Sequence, residues 1–236
     1  MVSKTRMLEL VKAHDAAAVD SALAESPALL AVRDERGRNW LHVCCGVAVG
    51  KDAARAKASV ETAAVLLRRG LDVNHEAFVE GAWRATPLWY AIGRGRNLVL
   101  ADWLLKQGSD PNHCLWAASF NNDIEAIRML VAGGADLEAV AEDSTPFLGA
   151  VSISHFGPAE ELLKLGANPD FRDSRGMTAL HYMLKKNSDK AHVRMVAAYG
   201  ARGDIPDAKG ATAAQIMGRK QDPDLRALAG QLRKGP

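Results

Sequence analysis

The chain of 236 residues predicts an all-α solenoid. About seven helix-turn-helix repeats would stack, joined by short β-hairpin or loop fingers. Two recurring elements carry this reading. The first is a small polar residue that opens an apolar helix. It reads Asn39-Trp40-Leu41-His42, Thr86-Pro87-Leu88-Trp89, His113-Cys114-Leu115-Trp116, Thr145-Pro146-Phe147-Leu148, Thr178-Ala179-Leu180-His181 and Thr212-Ala213-Ala214-Gln215. The last three starts lie about 33 residues apart, a period typical of stacked helical hairpins. The second element closes a helix: Leu66-Leu67-Arg68-Arg69-Gly70, Leu104-Leu105-Lys106-Gln107-Gly108, Leu130-Val131-Ala132-Gly133-Gly134 and Leu162-Leu163-Lys164-Leu165-Gly166, with a degenerate copy ending at Gly200. Composition agrees: 48 % hydrophobic and 25 % charged residues are the proportions of a folded, soluble chain. No apolar run approaches the roughly 18 residues of a membrane span.

In order, residues 3–33 form a capping repeat with a helix from Lys4, a turn at Asp15 and a second apolar segment ending Leu29-Leu30-Ala31-Val32. Full repeats follow at 34–80, 81–112, 113–142, 143–172 and 173–206, and residues 207–232 close the array with a polar helix. The local logic repeats. A Thr or Asn before the helix accepts a hydrogen bond from an early backbone N–H. Pro just after it loses nothing, because its missing N–H would be unpaired there. The paired leucines give the second helix an apolar stripe. The glycine beyond it takes the left-handed conformation that stops the helix. The chain then runs extended toward turns such as Asp34-Glu35-Arg36-Gly37 and Asp173-Ser174-Arg175-Gly176. One such pair cannot bury its own apolar face, so all repeats are expected to stack as one solenoid over 1–236.

These residues resemble the ankyrin-repeat family. Its Thr-Pro-Leu-His-x-Ala and Gly-Ala-Asp-x-Asn signatures recur in part, five times in order, over roughly residues 34–206. The resemblance implies a non-enzymatic, protein-binding scaffold without a cofactor. It also implies that hairpin tips and first helices form the concave, partner-facing side. The alanine-rich, isoleucine-poor composition fits a GC-rich bacterial genome. Three departures stand out. About ten extra residues between Cys45 and Ser59 would lengthen the connection between two helices. The hairpin between Gly70 and Thr86 is long, and that between Gly108 and His113 is nearly missing. A long finger beside a missing one would leave a notch.

Catalytic signals are weak. His42, Cys44 and Cys45 lie close in sequence, but a zinc site needs three or four ligands and no Cys-x-x-Cys pair is present. Under the resemblance, His42 and His181 are structural helix-start histidines, and the cysteines replace packing alanines. Gly93-Arg94-Gly95-Arg96 superficially resembles a phosphate-binding turn but falls between two helices of one repeat. Three cysteines make no disulfide framework and fit a reducing compartment. No signal peptide is visible at the start of the chain. The expected location is the cytoplasm.

Carried over position by position, the resemblance implies a partner surface. Fingertips contribute Arg36, Arg38, Trp83, Glu142 and Arg175. The ends of first helices contribute Arg94, Phe120, Asn121, Ser152, Lys185 and Lys186, with Trp116 nearby. Trp83, Trp116, Phe120 and Arg94 form the expected centre, since Trp and Arg dominate binding hot spots. Trp89, Tyr90 and Trp116 have a packing alternative, filling inter-repeat space, and Trp103 reads as core. Charge is uneven: residues 1–170 hold 17 basic and 22 acidic side chains, residues 171–236 hold 13 and 6. The basic end, with Arg175, Lys185, Lys186, Lys209, Arg219 and Lys220, reads first as a solvated polar cap, with attraction of an acidic partner as the alternative. Nucleic acid is disfavoured, because the aromatics lie elsewhere. The expected function is a monomeric protein-interaction module. The alternatives are an inhibitor or immunity protein occluding an enzyme or toxin, and a small-molecule-binding protein or enzyme using the aromatic notch.

Overall fold

The computed structural model describes residues 2–80 and 83–232, and the side chains of Val79, Glu80 and Trp83 also lie outside the described residues. The backbone divides into two compact units: Met1–Ala117 with Ala132–Ala135, and Ala118–Val131 with Asp136–Pro236. Among the described residues, fourteen α-helices fall into seven consecutive pairs.

The first unit holds α1 (Lys4–Ala13), α2 (Ala16–Glu25), α3 (Trp40–Cys45), α4 (Ala53–Arg68), α5 (Pro87–Tyr90) and α6 (Leu98–Lys106), with the first half of α7 (Cys114–Phe120). The expected caps are in place. Asp15 Oδ1 accepts from Ala18 N at 3.0 Å, Asn39 Oδ1 from Leu41 N at 3.0 Å, and Thr86 Oγ1 from Trp89 N at 3.3 Å. First helices pack on first helices (α1 on α3, α3 on α5), and second on second (α2 on α4, α4 on α6). In each closing motif the first leucine is fully buried, as Leu66 and Leu104 show. Trp103, read from sequence as core, is only half-buried.

The extra residues after Cys45 do more than lengthen a connection. They extend α4 at its start, so that it runs 16 residues. Asp52 caps it by accepting from Arg55 N at 3.0 Å. The alanine-rich run Ala53-Ala54-Arg55-Ala56-Lys57-Ala58 has the propensity to carry the helix. The long finger is a two-stranded antiparallel hairpin, β1 (Ala77–Glu80) and β2 (Trp83–Ala85), pairing Glu80 with Trp83 and bulged between Ala77 and Val79. The short connection has only a turn, in which Cys114 N donates to Pro111 O at 3.1 Å. After α5 the chain makes a π-turn over Ala91–Gly95. Gly95 sits hard against the end of α3: a Cβ there would lie 2.2 Å from Cys45 O.

The second unit holds the end of α7, α8 (Ile124–Ala132), α9 (Pro146–Ser152), α10 (Phe156–Lys164), α11 (Ala179–Lys185), α12 (Lys190–Ala198), α13 (Ala213–Gly218) and α14 (Pro223–Leu232). The same packing order recurs, with α9 on α11, α11 on α13, α10 on α12 and α12 on α14. Ile127, Leu130, Phe147 and Leu162 form its core. Arg128 clasps the buried Glu161 through two bonds of 2.6 and 3.0 Å. Lys190 bridges to Asp222 and Asp224 at 3.1 and 2.7 Å, tying α12 to the last helix.

Candidate partner-binding surface

Three fingers are built on an aspartate. Asp34 Oδ1 accepts from Arg36 N and Arg38 N, both at 2.9 Å, and Asp34 Oδ2 from Arg38 Nε at 2.6 Å. Asp173 accepts from Arg175 N, Met177 N and the Tyr182 hydroxyl at 3.0, 2.8 and 2.8 Å. Asp207 accepts from Lys209 N and Ala211 N at 2.8 and 2.9 Å. A carboxylate holding backbone N–H groups in this way is the reason aspartate opens such turns. The glycine in fourth position, Gly37, Gly176 or Gly210, has φ of 76°, 71° or 79°, which glycine alone adopts freely. The turn therefore carries one basic residue, Arg36, Arg175 or Lys209, at a fixed and exposed tip. Burial pushes the Asp34 and Asp173 carboxyls up, but the N–H and guanidinium bonds outweigh it and hold both below the usual range.

Fingers within a unit are linked. Phe78 N donates to Arg36 O, and Ala208 N to Arg175 O, at 2.9 and 2.8 Å. Phe78 itself is exposed, with the Arg36 guanidinium 5.9 Å from its ring centre. The turn at Glu142 is different. Glu142 and Asp143 both have positive φ, and the Asp143 carboxylate accepts from Ser174 N and Oγ.

In the first unit, the first-helix face opens into a cleft of about 300 Å³ between α1, α3 and the turn after α5. Its floor includes Trp40 and Tyr90, each only 3 % exposed. Lys4 and Lys12 line it from α1, Arg38 from the segment before α3, and Arg94 from the turn after α5. The guanidinium carbons of Arg38 and Arg94 lie 5.7 and 6.0 Å from the Tyr90 ring centre, within cation–π range. Tyr90, for which packing was an alternative, is thus buried and also seats two arginines. Lys4 and Lys12 escaped sequence reasoning because they lie in the capping repeat. Their only signal was their spacing along one helix.

In the second unit, Arg175, Lys185 and Lys209 line a groove of about 430 Å³ with Met177, His181 and Ile216. The remaining basic candidates do not all join them. Lys186 Nζ donates to Ser152 O. The Ser152 hydroxyl is turned to Gly149 O at 2.7 Å. Lys220 bonds Asn187 at 3.1 Å in a separate hollow. Phe120 is 66 % exposed at the end of α7, beside a half-buried Asn121. Phe120 and Asn121 belong to the second unit, whereas Arg94 and the half-buried Trp116 belong to the first. The Trp83 side chain lies outside the described residues.

The histidines hold repeats together. His42 Nδ1 accepts from Asn39 N at 3.3 Å, leaving Nε2 to reach His75 O at 3.0 Å. His181 reaches Ala211 O from Nε2 at 3.1 Å. Burial drives the His42 pKa down to about 4. Cys44, Cys45 and Cys114 are fully buried, and burial pushes the Cys44 thiol up to about 12 and the other two above their ordinary value as well. These are poor nucleophiles. Among the described residues no three His, Cys, Asp or Glu side chains gather as metal ligands.

The fold and part of the sequence are similar to known proteins. Residues 83–114 match the family model for the ankyrin repeat. The fold matches the human ASB11 ankyrin repeat domain at a TM-score of 0.71 and 22 % identity, covering 98 % of each chain. It matches the ankyrin repeat domain of Bcl-3 at 0.73 and 17 %, covering 94 % of this chain and 96 % of that one. The chain has the ankyrin-repeat fold. By sequence, it is 30 % identical over 135 residues to a putative palmitoyltransferase, ZDHHC13, of Danio rerio, covering 55 % of this chain and 20 % of that protein. It is 34 % identical over 89 residues to SH3 and multiple ankyrin repeat domains protein 2 of Homo sapiens, covering 34 % of this chain and 5 % of that protein. The chain thus spans a fifth or less of the length of these relatives. Among the described residues, no helix is long and apolar enough to cross a membrane.

Proposed function

We propose that this chain is a non-enzymatic protein-interaction module that engages a partner protein through its finger tips and first-helix face. The observation that carries the reading is the way the fingers are made. Asp34, Asp173 and Asp207 each spend a carboxylate on fixing their own turn, so the backbone that carries Arg36, Arg175 and Lys209 is already ordered at the moment of binding. Helical faces with this preorganisation suit a broad protein surface. The match to a palmitoyltransferase supports no acyl transfer here, since it covers 20 % of that protein. The buried cysteines are also unsuited to carry an acyl group.

The test is a pull-down from the native host with tagged wild type beside an Arg94→Glu/Arg175→Glu variant, read by mass spectrometry. A specific protein lost from the variant lane supports the module and its surface. A lane without any specific protein would refute the reading. Whether the partner is an adaptor client or an occluded enzyme follows from its identity, and inhibition of that enzyme by the purified chain would establish the inhibitor role.

A further inference from the structure

We infer that the cleft of the first unit receives an acidic segment of the partner protein, with an apolar side chain on the Trp40–Tyr90 floor and carboxylates at Lys4, Lys12 and Arg94. The inference rests on the protein-binding reading and names the chemistry that one part of the surface selects. The cleft holds four cations and one carboxylate, Asp34. That carboxylate is committed: Arg38 Nε lies 2.6 Å away, and two backbone N–H groups also donate to it. Lys4, Lys12 and Arg94 make no ion pair among the described residues, so their charge faces an open hollow uncompensated. His42, which also lines the hollow, is kept neutral by burial.

Geometry suggests an extended peptide. Lys4 and Lys12 are eight residues apart on α1, so their Cα atoms are separated by about 12 Å along the axis. That is the span of about four residues of extended chain. Arg94 adds a third cation, from the turn after α5, 6.0 Å from the Tyr90 ring centre. The floor is too recessed to serve as a stacking platform for nucleic acid bases, because Trp40 and Tyr90 each expose only 3 % of their surface. A small apolar side chain fits where a base does not. The uneven charge of the sequence points away from this place. Residues 1–170 are acidic in sum, yet this cleft within them is basic.

The test is selection of random peptides displayed on phage against the whole chain, followed by fluorescence titration of the enriched peptides. Wild type is compared with Lys12→Glu/Arg94→Glu and, as a charge control on the second-helix side, Lys57→Glu, whose side chain is exposed on α4. Far-UV circular dichroism checks that each variant is folded. The expected result is a pool rich in Asp and Glu around an apolar residue. Binding should weaken about tenfold or more in the double reversal, stay unchanged in Lys57→Glu, and weaken as salt rises from about 0.05 to about 0.5 M. Enrichment of neutral or basic peptides would overturn the inference while leaving a protein-binding module in place. So would acidic peptides whose binding survives the double reversal, or a single-stranded oligonucleotide that displaces them. Failure to enrich any peptide also overturns it, and the host pull-down then decides separately whether the module reading survives.

Discussion

Replacing Gly95 by alanine should cost this protein much more than the same change at Gly93, two residues away. A Cβ at position 95 would meet the Cys45 carbonyl oxygen at 2.2 Å, with Cys45 C and Val47 O at 3.4 Å. Relief requires the oxygen to retreat by roughly 1 Å, since close-packed interiors hold no spare room. That oxygen is backbone at the end of α3, whose Cys44 and Cys45 side chains are both fully buried. The displacement would therefore move packed core rather than a flexible side chain. Overpacking of this kind costs about 3 kcal/mol. For a chain of this size, that lowers the melting temperature by about 6–12 °C. At position 93 the added carbon would lie 3.4 Å from Ala117 Cβ and 3.5 Å from the Trp89 ring, near ordinary contact. The change there should stay within about 1 kcal/mol, offset by alanine's better helical propensity. The assay is urea denaturation of both variants followed by far-UV circular dichroism, reading the midpoint at unchanged slope. If Gly95→Ala lay within about 0.5 kcal/mol of wild type, the close packing of the π-turn on α3 would be wrong.

Leu104→Ala should cost about 2–5 kcal/mol, because Leu104 is wholly buried in the second-helix stripe. Equilibrium unfolding checks it, and a loss under about 0.5 kcal/mol would contradict the stripe. The neutral form of His42 should make stability pH-dependent. Its pKa falls from 6.5 unfolded to about 4 folded, so between these values the unfolded chain binds a proton that the folded chain refuses. The contribution is complete above about pH 6.5 and is lost as pH falls toward 4, about 2–4 kcal/mol in all. His42→Gln should flatten that part of the stability profile. Asp173→Ala should loosen its finger, because five donors lose their acceptor: the Arg175 and Met177 amides, the Tyr182 hydroxyl and two guanidinium N–H groups of Arg175. Hydrogen exchange at the Arg175 and Met177 amides should speed up while the α12 core amides hold. Cys44, Cys45 and Cys114 should resist a thiol reagent in the native state and react together on unfolding, as seen by absorbance of the released chromophore.

Much of the fold was legible because its signals are local. Thr86, Thr145 and Thr178 cap helices with their own side chains or with a neighbouring histidine. Asp34, Asp173 and Asp207 build turns from atoms within four residues. Leu66 and Leu104 fall on the buried stripe that their period dictates. Backbone chemistry of this range is written in short words, and repetition multiplies each word. The extra segment after Cys45 was harder. Its alanines state a preference for helix, but whether they join α4 or form a connection depends on where Asp52 caps it.

The surface was legible only in part. Sequence determined that Arg36 and Arg175 stand at tips, because the turn that carries them is local. Tertiary structure decided that Lys4, Lys12 and Arg94 share one cleft with Tyr90, since those groups are brought together from three repeats by the stacking of α1, α3 and α5. It also decided that Lys186 and Lys220 turn to Ser152 and Asn187 instead of joining Arg175 and Lys185 in one basic field. The role of Gly95 belongs to the same class: its neighbour is a carbonyl fifty residues earlier in the chain. Periodicity fixes which side of a helix is buried. The separation and sign of charges on the other side depend on how far each helix is rotated and shifted against the next, and no single repeat encodes that.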